Sequence, residues 1–297
     1  MEAKIEAKPS SKAQHEKFIQ RLRNHYKIPD ASHTFLKDTA KVIPYVETLS
    51  ESINTRKTYF THITSVLRDL KSPEMEKALA DYRAKMTTYK EKYEAHAKTQ
   101  TSTDAEKAKW NSWTDILKVR ESLAKKATDW KTFQKYLIIC LYTFIEPQRI
   151  DYTPMKFVSA LPTVKKGDRN YNVCLMTASS AKFIFNEYKS DRTYGTRQID
   201  VPSDLFTVLQ DWRKYNKSEW LLVMSDKETP LPESALGTKI ADIFEAETGK
   251  RSGVNTLRHA FISHQRKCEM SLTDKEKMSL TMGHSAATNE RYRRIDL

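Results

Sequence analysis

Residues 254–297 read VNTLRHAFISHQRKCEMSLTDKEKMSLTMGHSAATNERYRRIDL, and the rest of the chain takes its meaning from them. Leu257, Phe261 and Ile262 recur at helical spacing, which predicts a helix that carries Arg258. Thr273 followed by Glu276 has the form of a capping box and predicts a second helix, ending at Gly283. His284 then falls at a helix terminus, and Tyr292 on a last short turn. Arginine, histidine and tyrosine in this order suit phosphodiester chemistry. A phenol can attack phosphorus and hold it covalently, while a guanidinium neutralises the charge on the non-bridging oxygens.

A phosphodiester gathers further charge when attacked, so a second guanidinium is expected. Working upstream, an apolar helix over 130–145 (Trp130, Phe133, Leu137, Leu141, Phe144) is stopped by Pro147, and Arg149 emerges just past it. Between the two arginines lie three strand-like segments, 171–177, 182–189 and 197–201. They predict a small antiparallel three-stranded sheet with a basic hairpin tip. A lysine there can protonate the departing 5′-oxygen. Lys189 is the candidate by its strand-end position, with Lys182, Lys165 and Lys166 at other ends of the same sheet. Asn255, three residues before Arg258, faces the same side of its helix, whereas the neighbouring His259 is expected to point elsewhere.

The N-terminal third is helical by pattern. Ser52 is a cap candidate for the helix carrying Tyr59, Ile63, Val66 and Leu70, and Pro44 interrupts or bends the one before it. Met75, Leu79, Tyr82, Met86, Tyr89 and Tyr93 mark a long amphipathic helix. Polar residues 98–103 then form a boundary, and Thr103 with Glu106 caps the next helix. The expected organisation is a flexible basic arm over 1–30, a helical domain over 31–100, a linker and first helix over 101–128, and a catalytic domain over 129–297. The expected fold class is mainly α, with a mixed α+β second domain.

Composition narrows the function. Lys and Arg number 51 against 38 Asp and Glu, a net charge of +13, spread along the chain rather than gathered in one tail. That favours a nucleic acid over a membrane surface as partner. Three distant cysteines indicate neither a disulfide framework nor a zinc module. No glycine-rich phosphate loop occurs, and no apolar run approaches the roughly 18 residues of a membrane span. The expectation is a soluble intracellular protein that needs no cofactor, metal or nucleotide. Taken singly, each candidate also has a structural explanation, such as a buried arginine or a core tyrosine; their joint order is what points to chemistry.

The strings LRHAFISH (257–264) and MGHSAATNERYRR (282–294) resemble the second and third signature boxes of the tyrosine recombinase (phage integrase) family, and FIEPQRIDY (144–152) resembles the first. SINTRKTYFTHITSVL (52–67) is similar to that family's helical core-binding domain, a DNA clamp. The resemblance implies Arg149 and Arg258 as the two arginines, Lys189 as the hairpin lysine, His284 as the third-box histidine and Tyr292 as the nucleophile. It implies a site-specific recombinase of a mobile element or virus, working through a 3′-phosphotyrosyl link as a homotetramer on double-stranded DNA. The chain departs from the family at Asn255, where a histidine is usual, and in the eight-residue step from His284 to Tyr292, one shorter than usual. Two other readings stand beside it: a type IB topoisomerase-like DNA-relaxing enzyme, and a catalytically decayed DNA-binding protein.

Overall fold

Helical periodicity dominates both units into which the chain divides, Met1–Thr99 and Gln100–Leu297. The computed structural model describes residues 9–161, 171–266 and 270–297. No helix among them is long and apolar enough to cross a membrane.

The first unit consists of α1 (Pro9–Tyr26), α2 (Thr39–Thr48), α3 (Ile53–Leu70) and α4 (Glu76–Thr99), with short 3-10 turns at Thr34–Lys37 and Pro73–Met75. Ser52 caps α3 by accepting from the Thr55 N–H at 3.3 Å, and Pro44 lies inside α2. Phe18, Ile19 and Leu22 of α1 join Phe60, Ile63 and Leu67 of α3 and Tyr82 and Tyr89 of α4 in one core. The expected flexible arm is therefore corrected over 9–26. Three apolar residues spaced one and three apart occupy one face of a helix, and burying that face offsets the cost of ordering it.

In the second unit, α5 (Asp104–Ala108) opens on the capping box of Thr103 and Glu106. α6 (Trp113–Lys126) and α7 (Trp130–Leu141) follow. Trp113, Ile116, Val119 and Leu123 of α6 are buried in the same core as Leu137 and Leu141 of α7, so residues 101–128 belong to the second unit's body rather than to a linker. The chain then forms β1 (Met155–Val158), β2 (Asn172–Met176), β3 (Ala181–Phe185), a helical turn α8 (Asp191–Tyr194) and β4 (Arg197–Asp200).

The sheet has four strands among the described residues, in the order β1-β2-β3-β4, instead of the three expected. β1 pairs with β2 in parallel, Met155 opposite Asn172, and the other two pairs are antiparallel. A strand of four residues, MKFV, is too short for a period-two search to register. β3 also stops at Phe185, short of Lys189, because Asn172 Oδ1 accepts from the backbone N–H groups of Asn186 and Glu187 at 2.8 and 2.9 Å. Those donors are withdrawn from the ladder.

Five helices complete the unit: α9 (Ser203–Tyr215), α10 (Glu233–Thr248), α11 (Val254–Gln265), α12 (Leu272–Thr281) and α13 (Ala286–Tyr292). α12 is capped by Ser271, which accepts from the Asp274 N–H, rather than by Thr273. The fold class is mainly α with one small sheet.

Candidate active site

The first arginine is placed by the end of α7. Tyr142, fully buried, donates its hydroxyl to the Arg149 carbonyl at 2.7 Å, which fixes the loop around Pro147. Arg149 then reaches the third box, its Nη1 donating to the Gly283 carbonyl at 3.3 Å. Arg258, on α11, is 0% exposed. Its Nη1 donates to the Pro147 carbonyl (2.6 Å), and its Nη2 to the Met282 carbonyl (3.3 Å) and His284 Nδ1 (2.7 Å). Burial lowers the pKa of this guanidinium, and the neighbouring Tyr292 phenol acts in the opposite sense.

A guanidinium only donates, so His284 Nδ1 must present a lone pair and the ring proton resides on Nε2. Burial, with Arg258, Arg149 and Arg197 nearby, pushes the His284 pKa down to about 3, so the ring is neutral. Nε2 faces the buried Asn289 amide at 3.3 Å. The Asn289 Oδ1 has no partner with Nδ2 in that position; the amide turned over places Oδ1 on the Nε2–H, as that proton requires, and puts Nδ2 in the place where Oδ1 had no partner. Neither nitrogen of His284 is left for solvent, and the side chain organises the site from within.

Tyr292 closes α13. Its ring lies 5.3 Å from His284, nearly parallel at 16°, and 5.0 Å from Arg258 Cζ. His259, which by helical spacing was expected to point away, donates from Nδ1 to the Tyr292 carbonyl at 2.5 Å. Burial and then Arg294 lower its pKa to about 4.

Gly283 makes the close approach of these segments possible. Its φ is +70°, and a Cβ there would stand 2.9 Å from Arg197 Cζ. Arg197, on β4, was not singled out from the sequence. It donates from Nη1 to Gln148 Oε1 (3.0 Å) and to the Thr281 carbonyl, so it ties the first box to the third. Its Nη2 lies 3.9 Å from Asp151 Oδ2. Burial raises the Asp151 pKa against the pull of Arg197, Arg149 and Arg258. Asp151 had a signal in FIEPQRIDY; Arg197 had none, since its acceptors lie 49 and 84 residues away.

Two candidates stay outside the buried cluster. Lys189 is exposed in the β3–β4 connection. The adjacent Ser190 hydroxyl donates to the Gly283 carbonyl at 2.8 Å, so the connection is held against the third box. Lys182 is paired with Asp200 at 3.2 Å, at the opposite end of β3, and Lys165 and Lys166 lie outside the described residues. Asn255 is exposed on the first turn of α11, with no hydrogen bond to the cluster among the described residues.

The two neutral histidines make stability depend on pH. In the unfolded chain each titrates near 6.5, so below that value the unfolded state binds more protons. Their contribution is complete above about pH 6.5 and is lost as pH falls toward about 4 and about 3. The Tm should fall between pH 7 and pH 5, and His284→Asn should flatten that slope in a thermal-melt series.

No family model and no curated protein matches the chain. Among solved structures it is similar to the crystal structure of XerA recombinase, with TM-score 0.45 and 13% identity, covering 96% of this chain and 88% of that one. It is also similar to the crystal structure of XerH site-specific recombinase bound to difH substrate in a pre-cleavage complex, with TM-score 0.47 and 15% identity, covering 95% of this chain and 81% of that one.

Proposed function

We propose that this protein is a site-specific DNA recombinase that cuts and rejoins strands through a 3′-phosphotyrosyl intermediate. The observation that carries the reading is convergence. Arg149, Arg258, and the pair His284 and Tyr292 come from three segments of the chain, yet meet around the Gly283 turn with Arg258 Nη2 2.7 Å from His284 and Cζ 5.0 Å from the Tyr292 ring. A net charge of +13 supplies the attraction to duplex DNA.

In this mechanism the Tyr292 oxygen attacks phosphorus as its phenolic proton passes to solvent water, and the bond to the 5′-oxygen breaks. Arg149 and Arg258 take the charge that builds on the non-bridging oxygens. Lys189 gives a proton to the leaving 5′-oxygen. The phosphotyrosyl bond keeps the energy of the broken one, so neither nucleotide nor metal is required. Exchange between two duplexes involves four strands and one tyrosine for each, which calls for a tetramer on DNA.

A nicked suicide duplex tests the assignment, because loss of the short 5′ fragment traps the adduct. A covalent complex should form in EDTA and survive denaturation. Protein that binds duplex yet never traps an adduct would be a DNA-binding protein, which the exposed Asn255 in place of a histidine makes the specific competitor. Relaxation of plasmid lacking any target site would indicate a topoisomerase.

The lysine has its own test. Lys189→Ala should cleave ordinary DNA slowly, by roughly 100-fold or more. It should recover most of that rate on DNA with sulfur at the bridging 5′ position, since a thiolate leaves without a proton. Rescue of Lys182→Ala instead would move the role to Lys182, and no rescue of either would end the general-acid assignment.

A further inference from the structure

The β3–β4 connection, residues 186–196, carries the exposed Lys189, and a proton donor on an unsupported loop would spend little time at the leaving oxygen. Within the connection, Thr196 Oγ1 donates to Asn186 Oδ1 at 3.1 Å and the Tyr188 hydroxyl to the Gly195 carbonyl at 2.7 Å. These bonds shape the loop without aiming it. Its ties to the rest of the site fall on the two residues that flank Lys189. Ser190 donates its hydroxyl to the Gly283 carbonyl at 2.8 Å, and Tyr188 is held through Arg197.

The Arg197 side chain is 9% exposed. Its Cζ lies 4.2 Å from the centre of the Tyr188 ring and 5.2 Å from that of Phe185, and a Cβ on Gly283 would stand 2.9 Å from it. Nη1 alone serves Gln148 and the Thr281 carbonyl, while Nε and Nη2 have no hydrogen-bond partner among the described residues. Two idle donors on a buried cation are costly, so those two acceptors do not by themselves account for an arginine here. The remaining contact does. A delocalised, weakly hydrated guanidinium stacks on an aromatic ring, and the ring belongs to the residue next to Lys189.

We propose that Arg197 is a positioning residue for Lys189: seated against both the Tyr188 ring and the Gly283 turn, it holds the peptide that bears the general acid against the turn that bears His284. The inference rests on the general-acid role assigned above to Lys189. A displaced Lys189 gives a defect of one kind. Departure of the 5′-oxygen slows while the arginines at the non-bridging oxygens stay in place, so the loss should vanish when sulfur replaces that oxygen.

Single-turnover cleavage by wild type, Lys189→Ala, Arg197→Met and the double variant is measured on suicide duplexes with oxygen or sulfur at the bridging 5′ position. Arg197→Met should cleave the oxygen duplex on the order of 10-fold more slowly and recover most of that rate on the sulfur duplex. The double variant should be no slower than Lys189→Ala on the oxygen duplex, since both changes remove the same proton transfer. Tyr188→Leu takes away the ring and leaves Arg197 its bonds to Gln148 and Thr281. It should show the same recovery, and it decides the matter if Arg197→Met does not fold. Hydrogen exchange over residues 186–190 should rise in both variants, with exchange in α7 unchanged.

An equal loss on the two duplexes would overturn the inference, by showing that Arg197 serves the fold or the non-bridging oxygens instead. Wild-type rates on the oxygen duplex in the folded variants would overturn it as well. A wild-type protein that forms no adduct would defeat the recombinase reading; exchange then decides separately, a rise over 186–190 supporting the hold of Arg197 on this segment and no rise overturning it.

Discussion

Replacing Tyr292 with phenylalanine is expected to remove the covalent DNA adduct entirely while leaving duplex affinity within about twofold of wild type. The contrast follows from what the phenol does and does not hold together. The ring's stacking on His284 and its place over Arg258 belong to the aromatic face, which phenylalanine keeps. His259 holds the backbone carbonyl of residue 292, which is untouched. The attacking oxygen is lost, and with it the phenol's interaction with the Arg258 guanidinium. A gel-shift titration beside a denaturing-gel adduct assay measures both halves. An adduct retained in Tyr292→Phe would end the assignment, and the alternatives would be few. The search would move to Tyr152, Tyr171 and Tyr188, which lie in the same unit.

The second large effect separates the two arginines. Arg149→Ala and Arg258→Ala should each slow cleavage on the order of 100-fold or more, because each removes charge-assisted hydrogen bonds from the transition state. Their effects on folding should differ. Arg149 makes one 3.3 Å bond to the Gly283 carbonyl, and its loss should barely move the Tm. Arg258 serves Pro147, Met282 and His284 inside the protein, and its removal strands buried acceptors at a cost of about 1–3 kcal/mol each. Arg258→Lys should not restore stability, since an ammonium cannot span three acceptors set out for a planar fork. Equal Tm losses for the two alanine variants would show that the site's architecture does not hang on Arg258 as the geometry says.

What could be read in the sequence was local. The capping box of Thr103 and Glu106, the cap at Ser52 and the apolar stripe of α4 are each settled within about four residues, the reach of a helical turn. The order Arg149, Arg258, His284, Tyr292 was likewise on the page, as were Gly283 before His284 and the absence of any phosphate-loop motif. The short parallel strand β1 was not, because a strand of four residues has no period to detect and its partner begins 17 residues later.

Tertiary structure alone decided which side chains hold the others. Arg197 finds its acceptors 49 and 84 residues away, His259 finds the Tyr292 carbonyl 33 residues away, and Glu106 finds Arg294 across 188. No propensity or spacing rule operates over such separations. The sequence by itself determined the helical architecture and the order of the reactive groups, since caps and periodicity act along the chain. That Arg258 is sealed beneath Tyr292, and that Arg197 fits where Gly283 has no Cβ, follows only from packing, where burial forces every polar group to find whichever partner the fold has brought near.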